Sequence, residues 1–281
     1  MAPDKYKAVW VSHSSMGDFL TCPRAYYLNN VYKDPKTGRK ISIINPALAL
    51  GSAVHNVIEP LALVPADKRL DQPIIKRFEA EWSKVSGTKG GFKDKDEEEE
   101  MKQRGRVMID RVIKNPGPLV KPALRLPLHS GGMPPNFYLS EEDNIILCGK
   151  VDWIEYLPES DGIHIIDFKT GKRDEKTGSL QLPIYLLLAT NSQKRKVEKV
   201  SYWYLDRSDE LEGKDLPEYE QAKKDVLEVA LRVKEAREKK EFLCPHGEDG
   251  CFACRDLARV INGEGTFIGV SETNQDVYTL V

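Results

Sequence analysis

Residues 163–172, IHIIDFKTGK, restrict the possible fold of this chain more than any other stretch. Ile163, Ile165, Ile166 and Phe168 form a short run of β-formers, and Thr170, Gly171 and Lys172 end it with turn chemistry. This is a buried strand by composition and length. Side chains of a strand alternate between faces, so Asp167 and Lys169 emerge together while Ile166 and Phe168 point the other way. Burying a carboxylate and an ammonium is costly unless they pair or surround an ion. An isolated D-x-K reads first as a salt bridge at a strand end. The surrounding sequence must decide between the two.

That surrounding sequence divides by periodicity. A short strand is expected at Val9–Val11, then a helical turn or two capped by Ser14 or Ser15, with Met16, Phe19 and Leu20 facing inward. Pro23 suits the first position of a new helix with Tyr26, Tyr27 and Val31 on its apolar face, which puts Cys22 at a helix N-terminus, where a thiolate is favoured. Residues 33–40 read as a polar loop. Pro46–Ile58 reads as a helix on which Gly51, Ser52 and Ala53 permit close approach of another backbone, with His55 one turn before Glu59. Helices over 74–85 and 94–114 follow, the second opening on the acidic run DKDEEEE, and NPGPLVK (115–121) stops them. Strands are then expected at 123–129, 136–140, 145–157 and 163–169, with a hairpin at 141–144. A helix over 179–191, a strand over 199–207 and a long amphipathic helix over 217–240 complete the pattern. With no internal repeat, residues 1–281 read as one domain with a helical insertion at about 60–120, a cysteine segment at 241–256 and a tail at 257–281.

Bulk properties exclude some roles. A net charge of −2 gives no global attraction to nucleic acid, so any such contact needs a local basic surface. Arg24, Lys169, Lys172, Arg173 and Lys176 are the residues expected to provide it, while Lys194–Lys196 reads as an ordinary helix end. No apolar run approaches the ~20 residues that span a bilayer, and the first residues lack a signal-peptide core. A soluble, cytoplasmic chain without a membrane partner is expected. Five cysteines in such a chain argue against a disulfide framework. Cys148 sits in an apolar run and reads as a core thiol.

The chemistry gathers around the central strand. Asp152, in CGKVDWIEY (148–156), would face the same side of its strand as Lys150 and Ile154. An aspartate on one strand, a D-x-K on the next and His55 on an earlier helix supply hard oxygen ligands, one imidazole and a lysine. That set suits Mg²⁺ or Mn²⁺ with open water positions. The chemistry implied is hydrolysis of a phosphodiester.

GSAVH (51–55), GKVD (149–152), DFKTG (167–171) and QLPIY (181–185) stand in the order and at roughly the spacing of G-x-x-x-H, G-x-x-D, D-x-K and Q-x-x-x-Y. In this the chain resembles the RecB-like branch of the PD-(D/E)xK nucleases. The resemblance implies an α/β fold with a mixed central sheet flanked by helices. It implies that His55, Asp152, Asp167 and the carbonyl of Phe168 bind the metal, that Lys169 is the catalytic lysine, and that Gln181 and Tyr185 touch DNA; packing among leucines is the other reading of Tyr185. CPRAYYL (22–28) with Cys244, Cys251 and Cys254 is similar to the four-cysteine iron–sulfur staple of CRISPR-adaptation exonucleases, AddB nuclease domains and related phage proteins. A [4Fe-4S] cluster on Cys22, Cys244, Cys251 and Cys254 is thereby implied, with a structural zinc site, on the four thiolates or with His246 replacing one, as the alternative. The expected activity is a metal-dependent DNA nuclease on single strands or ends, an exonuclease of CRISPR spacer acquisition or of recombination and repair. The alternative is a DNA-end-binding module within an integrase or helicase assembly. Asp167 stands where many CRISPR-adaptation members carry Glu, which leaves the pathway open. No G-x-x-x-x-G-K-[ST] loop is present, so any helicase partner is a separate chain.

Overall fold

The computed structural model describes residues 4–128 and 133–281. The chain opens with strand β1 (Val9–Val11), helices α1 (His13–Thr21) and α2 (Pro23–Tyr26), strand β2 (Lys40–Ile43) and helix α3 (Pro46–Ile58). Helices α4 (Ile74–Lys84) and α5 (Lys95–Lys114) lead to strands β3 (Ala123–Leu124), β4 (Asn136–Ser140), β5 (Ile145–Cys148), β6 (Trp153–Leu157) and β7 (Gly162–Lys169). Helix α6 (Gln181–Ser192), strands β8 (Val197–Tyr204) and β9 (Glu212–Lys214), helices α7 (Tyr219–Lys239) and α8 (Arg255–Ile261), and the hairpin β10 (Thr266–Val270) and β11 (Gln275–Thr279) follow.

Strand β7 is the middle of a five-stranded sheet ordered β3-β6-β7-β8-β9, antiparallel to β6 and parallel to β8. Every residue of β7 except Lys169 is buried, as a strand covered on both faces requires. Ile163 and Ile165 pack into a core with α1, α6, α7 and the small sheet β1-β5-β4. Ile166 and Phe168 enter a second core with Trp153, Trp203 and helices α3 to α5. The alternation read from the sequence therefore holds, and Asp167 and Lys169 share the face covered by α6. That helix carries the crossover a parallel β7–β8 pair needs. It lacks a side-chain cap at Leu180 and is held by packing instead. Leu187, Leu188 and Ala189 have no exposed surface, and each fully buried leucine contributes about 1.5–3 kcal/mol. A mixed sheet with helices on both faces is the α/β arrangement expected.

Several local expectations change. Residues 145–157 form two strands in different sheets, not one: the chain leaves β5 after Cys148 and enters β6 at Trp153. Gly149 marks the break. Its backbone lies so close to α6 that a Cβ there would stand 2.9 Å from Leu188 Cδ1. Lys150 and Asp152 thus lie in a bend rather than on one strand face. The strand expected at 123–129 shortens to Ala123–Leu124, and His129 lies outside the described residues. Helix α1 is capped by Ser12, whose hydroxyl accepts the Ser15 N–H while the Ser15 hydroxyl accepts the Ser12 N–H. The run of serines made that register ambiguous. Leu20 is exposed, and Cys148 is half-buried with its thiol donating to the Val11 carbonyl. The acidic run does start a helix: Asp94 caps α5 by accepting the Glu97 N–H.

The tail is structured by a pairing with no sequence signal. Strand β11 pairs in parallel with β2 and returns the C-terminal segment to the N-terminal one. Asp276, fully buried, accepts from Arg39 Nε at 2.7 Å and Thr37 Oγ1 at 2.5 Å. Among the described residues, no helix is long and apolar enough to cross a membrane.

Candidate active site

Two motif segments meet at the end of β7. Trp153 pairs with Ile166 across the antiparallel β6–β7 ladder, so the residue before Trp153 lies opposite the residue after Ile166. Those residues are Asp152 and Asp167. The Asp152 carboxylate is fastened there by the Phe168 N–H, which donates to Oδ2 at 3.0 Å.

Helix α3 brings His55 from the opposite face of the sheet. Its ring stands edge-on to Phe168, centroids 6.2 Å apart, and Nδ1 lies 3.6 Å from Asp152 Oδ2. Gly51, one turn earlier, allows this approach: a Cβ there would be 3.3 Å from Thr170 Oγ1. Nδ1 of His55 also lies 2.9 Å from Glu59 Oε1. The other Glu59 oxygen meets the Lys150 ammonium. Donor atoms of His55, Glu59 and Asp152 all lie within 4.8 Å of one another.

Asp167 faces the other way. Its Oδ1 accepts from Gln181 Nε2 at 2.8 Å and from the Tyr185 hydroxyl at 3.0 Å, and its Oδ2 lies 3.0 Å from Lys169 Nζ. Lys169 in turn donates to Glu175 Oε2 at 2.6 Å and Gln181 Oε1 at 2.5 Å. Gln181 and Tyr185, expected at the DNA, are buried, Gln181 bonded to Asp167 and Lys169 and Tyr185 to Asp167. The turn of helix between them sets both side chains on one face.

The electrostatics record a crowded acidic centre. Burial pushes the Asp152 carboxyl up to about 8, reinforced by the charges of Asp167 and Glu59 and opposed by His55 and the Phe168 N–H. Burial would lower His55, but its bond to Glu59 and the charges of Asp152, Glu59 and Asp167 outweigh burial and raise it. Lys169 is likewise raised, because Asp167 and Glu175 outweigh burial. Burial and the neighbouring aspartates raise Tyr185 far above its usual range, so it remains a phenol and a donor.

A divalent cation fits this centre on two observations. Glu59 and Asp167 each keep a buried carboxylate oxygen whose counter-charge is a single ammonium, that of Lys150 or Lys169, and Asp152 resists ionisation among like charges until a cation relieves them. Carboxylates with one imidazole form a donor set that divalent cations accept.

Three residues of this centre were not picked out by sequence reasoning. Glu59 stands four residues after His55, the spacing that puts two side chains on one helical face, and it orients the imidazole as a carboxylate does behind a metal-binding histidine. Glu175 lies in an irregular loop with no periodic signal. His13, at the start of α1, feels the charges of Glu175, Lys169 and Asp167, although burial dominates and lowers its pKa. Arg24, expected beside Lys169, instead donates to the Glu248 carbonyl in the cysteine segment.

The four cysteines form a second centre. Sulfurs of Cys22, Cys244, Cys251 and Cys254 lie within 4.8 Å of one another, and all five cysteines of the chain are free thiols. Cys22 does open a helix, whose α-helical turn runs on as a π-helical turn over Tyr27–Val31, yet burial pushes its thiol up to about 12. Cys251 is also raised by burial, yet the N–H groups of Ala253 and Cys254, with the other thiols, bring it down to about 6. Four thiols facing one another without a disulfide, three buried and Cys244 half-buried, are a soft-metal donor set. The Cys251–Cys254 separation of 3.9 Å matches two thiolates on one tetrahedral ion, about 3.8 Å for Zn–S bonds of about 2.3 Å. A four-iron cube, which spaces its corner irons, needs the sulfurs to spread. His246 contributes only its backbone N–H, to Cys244 Sγ.

The family model described as the PD-(D/E)XK nuclease superfamily matches residues 10–256, which hold both centres. No curated protein matches the chain.

Proposed function

This chain belongs to the PD-(D/E)XK nuclease superfamily, and from that premise we propose that it is a Mg²⁺- or Mn²⁺-dependent deoxyribonuclease acting as an exonuclease on single strands or ends. The observation that carries the reading is the convergence at the end of β7. Asp152, held by the Phe168 N–H, faces His55 on one side, and Asp167 faces Lys169 on the other. His55, Asp152, Asp167 and the Phe168 carbonyl would hold the cation. When bound, it would lower the pKa of water and polarise the scissile phosphate.

The protein groups have separable tasks. Glu59 meets His55 at Nδ1 and so fixes the ring beside Asp152. Gln181 and Tyr185 hold Asp167 through Oδ1, and Lys169 meets its Oδ2, an oxygen that a bound cation would share with the ammonium. Lys169, kept protonated by Asp167 and Glu175, directs the attacking water and offsets negative charge as the new P–O bond forms and the ester P–O bond breaks. Gln181 aims that ammonium through its own oxygen.

For the second centre we propose a [4Fe-4S] cluster on Cys22, Cys244, Cys251 and Cys254, with zinc as the competing occupant; its role is structural, since hydrolysis needs no redox step. The resemblance of the motifs favours work in CRISPR spacer acquisition or in recombination and repair, beside a separate integrase or helicase chain. Incubation with end-labelled single-stranded DNA tests the activity. Digestion should proceed from an end with Mn²⁺ or Mg²⁺ and stop with chelator. Tight binding of the strand without any digestion would favour the end-binding module instead.

A further inference from the structure

A cavity of about 1180 Å³ opens beside the four thiols, on residues the centre at Asp167 does not share. Its walls include three aromatic rings, Tyr27, Tyr32 and Phe242, and three cations, Arg24, Arg237 and Lys240. Tyr27 stacks on Phe242 at 5.0 Å, and Tyr32 meets Tyr27 edge-on at 6.3 Å. Glu248 is the one acidic residue among those lining it, and its backbone carbonyl accepts from Arg24. Lys33 and Lys40 extend the same positive corner, for burial and the charges of Arg237 and Lys33 together lower the Lys40 pKa. Among the described residues, none of these five cations forms an ion pair, whereas Arg39 and Arg259, on the adjoining β2 and α8 segments, pair with Asp276 and Glu264.

Unpaired like charges gathered around a hollow are unfavourable until an anion enters it. Aromatic faces between them add a preference for flat, unpaired bases, because a base inside a duplex has no free face to offer. We propose that this cavity is a second nucleic-acid contact, taking an unpaired segment of strand with its phosphates on Arg24, Arg237 and Lys240 and its bases on the rings. The inference rests on the nuclease reading above and extends it to a site remote in sequence from the D-x-K strand. It also gives the thiol centre a consequence for binding. Cys244 and Gly247 form part of the cavity wall, and Cys22 opens the helix that carries Arg24. The occupant of the four thiols therefore sets the shape of the strand-binding surface.

Fluorescence anisotropy of a labelled oligothymidine and of a matching duplex tests this in an Asp167→Asn background, where the strand survives. The parent should prefer the single strand. Phe242→Ala should weaken strand binding about tenfold or more, the effect of losing one stacked base. Arg237→Glu with Lys240→Glu, both exposed and outside the core, should weaken it at least as much and flatten the salt dependence by about 0.7 for each phosphate no longer neutralised. Strand binding equal to the parent in the charge-reversed protein, whose melting is unchanged, would overturn the proposal and leave the face to a protein partner. If the unsubstituted protein still digests the strand in that case, the nuclease reading stands. Failure of the unsubstituted protein both to bind and to digest would overturn that reading itself.

Discussion

Lys169→Ala abolishes strand cleavage, with a loss of about 10²–10³-fold or more, the effect of removing one preorganised charge from a phosphoryl-transfer site. The lysine is not a surface cation. Its ammonium touches Asp167, Glu175 and Gln181, and the Tyr202 ring lies 4.8 Å away. Alanine leaves three acceptors without their shared donor and removes the charge that keeps Asp167 paired. Lys169→Arg retains the charge, but a planar fork cannot reproduce a compact ammonium held by three oxygens, so it recovers only a fraction of the rate. Both variants remain folded, because β7 is anchored by Ile163, Ile165, Ile166 and Phe168 rather than by its polar pair. Single-turnover digestion of an end-labelled strand, with circular dichroism as the control, is the check. A Lys169→Ala protein cutting within threefold of the unsubstituted one would remove the lysine from the mechanism.

Cys22→Ala loses the occupant of the four thiols and about 2–5 kcal/mol of stability. The tether from Cys22 to Cys244 spans 222 positions (244 − 22), and closing a loop that long in the unfolded chain sets an upper bound of about 5 kcal/mol. Part of the tie survives, since β2 still pairs with β11 and Asp276 still holds Arg39 and Thr37. The loss therefore concentrates in the small core where Cys22, Ala25 and Leu28 pack against Leu257 and Val260, and that segment becomes the first to open to protease. Metal analysis and visible absorption of protein purified without oxygen accompany the melting curve. A brown protein that Cys22→Ala bleaches fits the cluster. A colourless one with stoichiometric zinc assigns a tetrahedral ion and leaves the nuclease reading in place. Unchanged melting after Cys22→Ala would contradict a structural staple of either kind.

What the sequence disclosed follows from range. β7 was legible because alternation is local, and α3 because its proline, small residues and length all agree. The partners of β7 were less so. The break after Cys148 depends on how near Gly149 lies to Leu188, an approach with no trace in a run of β-formers. The β2–β11 pairing joins Lys40 to Gln275, too distant for any pattern to signal. At the site, the motifs identified residues but not their engagements. The Q-x-x-x-Y spacing marks Tyr185 but does not reveal that its hydroxyl donates to Asp167. Glu59 was visible only as a spacing, since its role depends on the helix continuing into a 3-10 turn past Ile58. For Cys22 the favour of a helix terminus is outweighed by burial, reinforced by the three facing thiols.

The claim beneath all of this is that His55, Asp152 and Asp167 share one divalent ion, and calorimetric titration with Mn²⁺ tests it most directly. Asp152 is pushed up to about 8 and His55 is also raised, so at neutral pH a proton must leave the site before the ion can bind. Affinity should then rise about tenfold per unit as pH climbs toward 8 and level off above it, with proton release detected by repeating the titration in buffers of different ionisation heat. Asp152→Asn and His55→Ala should each abolish the binding. Binding that is indifferent to pH and survives both substitutions would place the ion elsewhere and contradict the account.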